Sequence, residues 1–521
     1  MQASRRTFIK SAGLSGLSLG LISEIDFLKT SPTTNLPRGI AEAEGFDSQG
    51  IINFLDGIKA SGLEWHSFML VKNGKVISEA WWKPFESQNK HTMYSLSKSF
   101  TSTAIGLMLK ERSVSIHTPV VQFFAESLPE KVSDNLNQMT IKHLLTMNTG
   151  HDTDTMPALR AKNDTQTWVK SFLEHPVIHQ PGSHFLYNTG ATYMLGAILH
   201  KVTGLTLEAY LQPRLFAPLN ITGYDWEKSP QGLNTAGYGL RISTEDIAKL
   251  GQLYLQKGKW NGKQILPEGW TDEASKKQTS SQAGDNDWAQ GYGYQFWRCK
   301  PGFYRGDGAY GQFCMVMPEY NTVLAMTCES FNLQKTMDVA YENLLPAISL
   351  KKLPNNVELQ TKTTSEIAKL SLATPKGNTS SPLMSKYSDK VFDVSENKYG
   401  LTAIGFGLFA DAGVLRVNYG NGVEKIGFGW EKWKVNPNKR KNPFPMVNSN
   451  TTVLSRIAST ATWLNDNTLQ INFKFVDQVH GDKLTCVFND NNVSITLINS
   501  VSENTKNNPD KREKIIGNMI S

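Results

Sequence analysis

Ser95 and Lys98 open the stretch MYSLSKSFTSTAIGLMLKE, which runs from Met93 to Glu111. Three residues apart, their side chains share one face of a helix. A serine hydroxyl is a poor nucleophile until a base takes its proton. A lysine serves as that base only as the neutral amine, a state favoured by burial and by the positive end of a helix. The same spacing recurs at Ser349–Lys352 and Ser395–Lys398, where nothing else points to chemistry. Context sets Ser95 apart. The eleven residues from Ser99 to Leu109 carry no charge, so the helix is expected to be buried all round and Lys98 to be held out of water. The competing explanation is a helix cap followed by a surface lysine.

The elements that would position this pair can be read from turn chemistry and periodicity. FMLVKNGKVISEAWW reads as a hairpin, with Asn73-Gly74 as its type I′ turn. The Ser–Lys helix is expected over about residues 94–112. TIKHLLTMNTG reads as a short helix stopped by Gly150. ATYMLGAILHKVTG is a better helix closed by Gly204, and TEDIAKLGQLYLQKG a third, with Thr244 as N-cap and Gly258 past its end. From Gly291, GYGYQFWRC, GQFCMVMPE and NTVLAMTCES suggest an antiparallel meander, followed by a helix in VAYENLLPAI. Strands at both ends with helices between them predict an α+β layer fold over about residues 40–350. Residues 351–385 read as a linker rich in Thr, Ser, Lys, Asn and Pro. Alternation at Ile404, Phe406 and Leu408, and at Leu469, Ile471, Phe473 and Phe475, predicts a second, all-β domain over 386–505, with a polar tail at 506–521.

Composition narrows the function classes. The chain has 521 residues, 39% hydrophobic and 19% charged, which fits folded domains rather than a disordered or membrane-embedded chain. The net charge of +7 is spread thinly, and its densest run, Lys439-Arg440-Lys441, lacks interleaved aromatics, so no nucleic-acid partner is expected. At the N-terminus, SRRTFIK precedes the short apolar stretch SAGLSGLSLGLI, the pattern of a twin-arginine export signal over about residues 1–30. Export to the periplasm with no stable membrane span is the expectation. In that oxidising compartment Cys299, Cys314, Cys328 and Cys486 admit three full pairings, and all four equally suit small buried core positions. A hairpin turning near Pro318–Asn321 would set Cys314 opposite residue 325 rather than Cys328. His175 and His179 have helical metal-ligand spacing, but Pro176 opposes the helix. No metal or cofactor is expected. The oligomeric state is not readable from the sequence.

The stretch YSLSKSFTSTAIGLML resembles the Ser-x-x-Lys motif of serine β-lactamases and penicillin-binding proteins, and is most similar to the class C β-lactamase-related serine hydrolases, which include esterases and 6-aminohexanoate-oligomer hydrolases. The resemblance spans about residues 45–345. It takes in IKHLLTMNTG, PGSHFLYNTGATYMLGAIL, LFAPLNI, EDIAKLGQLYLQKGKWNGKQILPEGW and GAYGQFCMVMPE in the family's order. It implies a β-lactamase/transpeptidase-like catalytic domain, an antiparallel sheet flanked by helices, ahead of the all-β domain. By position, Ser95 would be the acylated nucleophile and Lys98 its base. Tyr187 would match the second-motif tyrosine, a phenolate whose pKa is lowered by Lys98 and which exchanges protons with Ser95 or the leaving group. The usual Tyr-x-Asn is here Tyr187-Asn188-Thr189, so Asn188 and Thr189 would face the substrate with altered amide recognition. The usual Lys-Thr-Gly aligns with Ala309-Tyr310-Gly311, which removes the cation that binds a β-lactam carboxylate. The N–H groups of Ser95 and Gln312 would form the oxyanion hole, with Tyr310 and Gly311 lining it. Arg305 could replace the missing charge, although a solvated loop position is the expected one. The resemblance thus implies a hydrolase of a small ester or amide. The alternatives are a non-catalytic penicillin-recognising binding module, and a true β-lactamase or D-amino-acid peptidase.

Overall fold

In the computed structural model, which describes residues 35–163, 165–445 and 454–520, Asn73 and Gly74 take φ values of 53° and 79° and join strands β1 (Glu64–Lys72) and β2 (Lys75–Trp81). Two successive left-handed residues are what a type I′ turn requires. The twin-arginine segment lies outside the described residues. Four further strands, β3 (Trp297–Arg298), β4 (Tyr304–Gly308), β5 (Gln312–Met317) and β6 (Thr322–Glu329), complete an antiparallel sheet in the order β2-β1-β6-β5-β4-β3.

Strand β6 explains the layering. Its sequence TVLAMTCE is buried at every position, as expected of a central strand covered on both faces. Leu324, Met326 and Cys328 point into one core, and Val323 and Ala325 into the other. Helix α1 (Ser48–Ser61) covers the first face, together with a later helix at Leu333–Leu344. A lobe of helices lies on the second side. There α2 (Ser97–Arg112) packs on α3 (Thr189–Thr203), and α4 (Thr244–Leu255) lies directly on the sheet. The N-cap of α4 is Ser243, in a capping box with Asp246, rather than Thr244. The short helix Ile141–Leu145 ends ahead of Gly150, because Met147 already turns left-handed at φ 59°.

The supposed linker 351–385 contains a further helix, Val357–Ala368, packed on α1. Its composition misleads because only a narrow stripe, including Thr363, is buried. Beyond it, β7 (Val391–Val394), β8 (Ala403–Leu408), β9 (Ala412–Asn418), β10 (Val423–Trp430), β11 (Ile457–Asn465), β12 (Thr468–Phe475), β13 (Gly481–Asn489), β14 (Asn492–Asn499) and β15 (Ile515–Met519) form a barrel. A parallel pairing of β10 with β11 closes it. The supposed polar tail supplies β15, which fills the gap between β7 and β14. Alternating residues such as Phe406, Leu415, Ile471 and Ile495 fill the interior. The described residues form one compact unit, and Ala458 and Val476 of the barrel side share a core with Trp65 and Phe68 of the catalytic side. All four cysteines are buried and unpaired, and Cys314 faces Ala325. Among the described residues no helix is long and apolar enough to cross a membrane.

Candidate active site

A short strand, His91–Thr92, delivers the chain to a single 3-10 turn, Tyr94–Leu96, from which α2 continues. Tyr94 is left-handed at φ 46°, a conformation that costs a side-chain-bearing residue about 1–2 kcal/mol. The turn is tied at both sides. Met93 N–H donates to the Leu240 carbonyl at 2.9 Å, and Leu240 N–H donates to Ser97 Oγ at 3.2 Å. This geometry projects Ser95 and Lys98 together.

Lys98 is 1% exposed, which excludes the surface-charge explanation. Its Nζ lies 3.2 Å from Ser95 Oγ, 2.8 Å from the Gly237 carbonyl and 3.4 Å from Thr189 Oγ1. Burial lowers its pKa to about 7, against the opposing pull of Asp154 and Asp307. A Cβ on Gly237 would stand 2.8 Å from Thr189 Cγ2, so a glycine lets this carbonyl reach the amine.

The Tyr187 ring lies 5.0 Å from Lys98 Nζ and stacks on Trp297 at 5.6 Å between centroids. Burial pushes its phenol well above the usual value, so the expected phenolate gives way to a neutral hydroxyl. Asn188 does not face a substrate. Its buried Oδ1 accepts from Thr155 Oγ1 at 2.8 Å and from Ala191 N–H at 3.3 Å, capping α3. Thr189 stays at the site through Lys98, and its N–H is held by Asp154 Oδ1 at 2.8 Å.

The strand nearest Ser95 is β4 rather than the segment aligned from sequence. A Cβ on Gly306 would strike Leu96 Cδ1 at 2.3 Å, and one on Gly308 would strike the Met93 carbonyl at 2.2 Å. Gly306-Asp307-Gly308 therefore occupies the strand position beside the Ser95 turn. Tyr310 and Gly311, at φ 63° and 91°, form the turn that follows. The Gln312 side chain is turned inward and donates to the carbonyls of Ala309 and Cys328 at 2.9 and 2.8 Å. Arg305 is fully buried rather than solvated. It donates to Asp307 at 2.9 Å and lies 4.7 Å over the Trp288 ring, so it offers no free cation.

Glu64, His66 and Glu329 place ligand-type atoms within 4.8 Å of one another. Lys474 fills the position a cation would take, with Nζ at 2.5 Å from Glu64 and 2.6 Å from Glu329. His179 is paired with Asp152 at 2.5 Å, and His175 terminates a helix. Sequence reasoning missed Gly237, Asp154 and Asp307, because each reaches Lys98 from a segment distant in the chain.

The profile of the beta-lactamase family matches residues 60–347. The chain is 21% identical over 284 residues to the 6-aminohexanoate-dimer hydrolase of Paenarthrobacter ureafaciens, covering 50% of this chain and 71% of that protein. It is 24% identical over 192 residues to a beta-lactamase of Escherichia coli K12, covering 32% of this chain and 48% of that protein. Among solved structures, the octameric penicillin-binding protein homologue from Pyrococcus abyssi aligns with a TM-score of 0.45 and 15% identity, covering 90% of this chain and all of that one. With more than half of its length matched by the family profile, the chain belongs to the beta-lactamase family.

Proposed function

We propose that this protein is a serine hydrolase that opens a small ester or amide through an acyl-enzyme on Ser95. The observation that carries the reading is a buried lysine with a pKa of about 7 standing 3.2 Å from the serine oxygen. Neutral Lys98 takes the Ser95 proton as Oγ bonds to the substrate carbonyl carbon. The resulting oxyanion rests on the Ser95 N–H and on the Ala309 N–H at the end of β4. That second donor is preferred to the Gln312 N–H because Gly308, the residue before Ala309, backs onto Met93 beside the Ser95 turn. The Tyr187 phenol gives its proton to the departing alkoxide or amine and regains one from the Lys98 ammonium. Water then cleaves the acyl-enzyme by the reverse path.

An ester or short amide is favoured over a β-lactam. The strand beside Ser95 carries Asp307 and no lysine, and its Arg305 is already engaged. A fluorophosphonate should label Ser95, seen by intact-protein mass spectrometry and lost in Ser95→Ala. A panel of p-nitrophenyl esters, short linear amides, D-amino-acid peptides and nitrocefin ranks the substrates. Efficient nitrocefin turnover that disappears in Ser95→Ala would overturn the ester preference. Absence of any adduct in a folded sample would overturn the hydrolase. The same reading places the enzyme outside the cytoplasm by way of the twin-arginine segment, and replacing Arg5 and Arg6 with lysine should retain it in the cytosolic fraction.

A further inference from the structure

The segment that carries Ser95 is held by a circuit of side chains that leaves it at His91 and rejoins it at Tyr94. His91 Nε2 is 2.7 Å from His66 Nδ1, and His66 Nε2 is 2.8 Å from Glu64 Oε1. Lys474 bridges Glu64 to Glu329, and Glu329 Oε1 is 2.6 Å from His480 Nδ1. His480 Nε2 closes the circuit at 2.6 Å from the Tyr94 hydroxyl. Two members, Lys474 and His480, come from the barrel: one from β12, the other from the turn between β12 and β13.

The hydrogen-bond directions follow from the carboxylates. Glu329 is held ionised by Lys474 and His480, so His480 Nδ1 must donate to it. Nε2 is then left facing the Tyr94 hydroxyl, which donates to it when the ring is neutral. His480 also packs edge-on against Tyr310 at 4.6 Å, and Tyr310 lies 5.3 Å from Tyr94. The anchored residue is the one whose backbone is left-handed, immediately before the serine. A strained conformation persists only where its surroundings over-determine it.

We propose that His480 is a positioning residue for the nucleophile, and hence that the C-terminal barrel completes the active site of the catalytic domain. By fixing the Tyr94 ring, it holds the turn that sets Ser95 against Lys98. The inference rests on the reading of Ser95 as the acylated residue.

The test compares the full-length protein with His480→Ala, His480→Gln, Tyr94→Phe and the Tyr94→Phe/His480→Ala double variant. It measures the rate of fluorophosphonate labelling at Ser95, and kcat and KM for p-nitrophenyl acetate. Small misplacements of a reacting group lower rates by about ten- to a hundredfold, and that loss is expected in labelling and kcat for His480→Ala and Tyr94→Phe, with KM little changed. The double variant should be no worse than the slower single one, because both remove the same contact. His480→Gln, whose amide can still accept from Tyr94, should recover most of the rate. Labelling of His480→Ala at the wild-type rate, or losses that multiply in the double variant, would overturn the proposal. If His480→Ala does not fold, Tyr94→Phe, which removes one oxygen, decides alone. Failure of the wild type itself to label at Ser95 sinks the hydrolase reading and this proposal with it. A labelled wild type with unaffected variants sinks only the proposal.

Discussion

Glu64 and Glu329 are cross-strand partners on β1 and β6, two carboxylates in register, with the Lys474 amine of the barrel between them. Like charges directly opposite on a sheet destabilise it. The catalytic sheet thus carries a repulsion that Lys474 of the barrel relieves from between the two carboxylates.

Replacing Lys474 with methionine should therefore cost about 3 kcal/mol at pH 7, read from urea unfolding. Lys474 and His480 hold the Glu329 carboxyl far below the usual carboxylate range. A group with a depressed folded pKa stabilises above its unfolded value, near 4.3, and loses that contribution as the pH falls. The deficit of Lys474→Met should accordingly shrink below about pH 4.3. A deficit that does not change with pH would contradict this account.

Acylation should require neutral Lys98. Its pKa of about 7 predicts that kcat/KM for an ester rises with pH as a single deprotonation centred near 7 and then levels off. Asp154 and Asp307 oppose that shift through space, and the Tyr187 ring lies 5.0 Å from Nζ. Lys98→Met should lose activity by at least about a hundredfold.

The same substitution should stabilise the fold at low pH. The folded pKa lies below the unfolded value of about 10.4, so between the two the unfolded chain binds more protons and wild-type stability rises with pH. The advantage of Lys98→Met over wild type is largest below about pH 7 and vanishes by about pH 10. Paired thermal melts at pH 6 and pH 9.5 measure it, and an equal difference at both would refute the assignment.

Tyr187→Phe should lower kcat by about a hundredfold or more while leaving KM close to that of wild type, since the hydroxyl acts on the leaving group. Burial keeps the phenol protonated, so ionisation of Tyr187 should produce no alkaline fall in rate up to about pH 10 in steady-state assays.

Deleting residues 506–521 should open the barrel rather than trim a tail. It removes Ile515–Met519 from between β7 and β14 and exposes two strand edges. Loss of soluble protein, or of a cooperative melt, is the expected outcome. A truncated chain that melts like the full-length one would show that the strand is dispensable.

The hairpin at Asn73-Gly74 and the helix closed by Gly204 were legible because turn and cap chemistry is local. The Ser95–Lys98 pair was legible because a three-residue spacing fixes a shared helical face. Strand β4 was not, because YRGDG has little β-propensity and its glycines serve a close approach to Leu96 and Met93. Arg305 looked solvated because a charge is easily buried only where partners such as Asp307 and Trp288 await it.

By itself, the sequence determined the chemistry on offer: a serine and a lysine on one face of an uncharged helix, in a chain whose motifs follow one family's order. The tertiary structure decided which of those groups meet and in what state. Lys98 has a pKa near 7 because distant segments exclude water around it, and Asn188 is withdrawn into a cap by Thr155. The Ser95 turn is anchored through Tyr94 by His480, 386 residues further along the chain. Desolvation and long-range hydrogen bonding are properties of the packed molecule, and no local pattern encodes them.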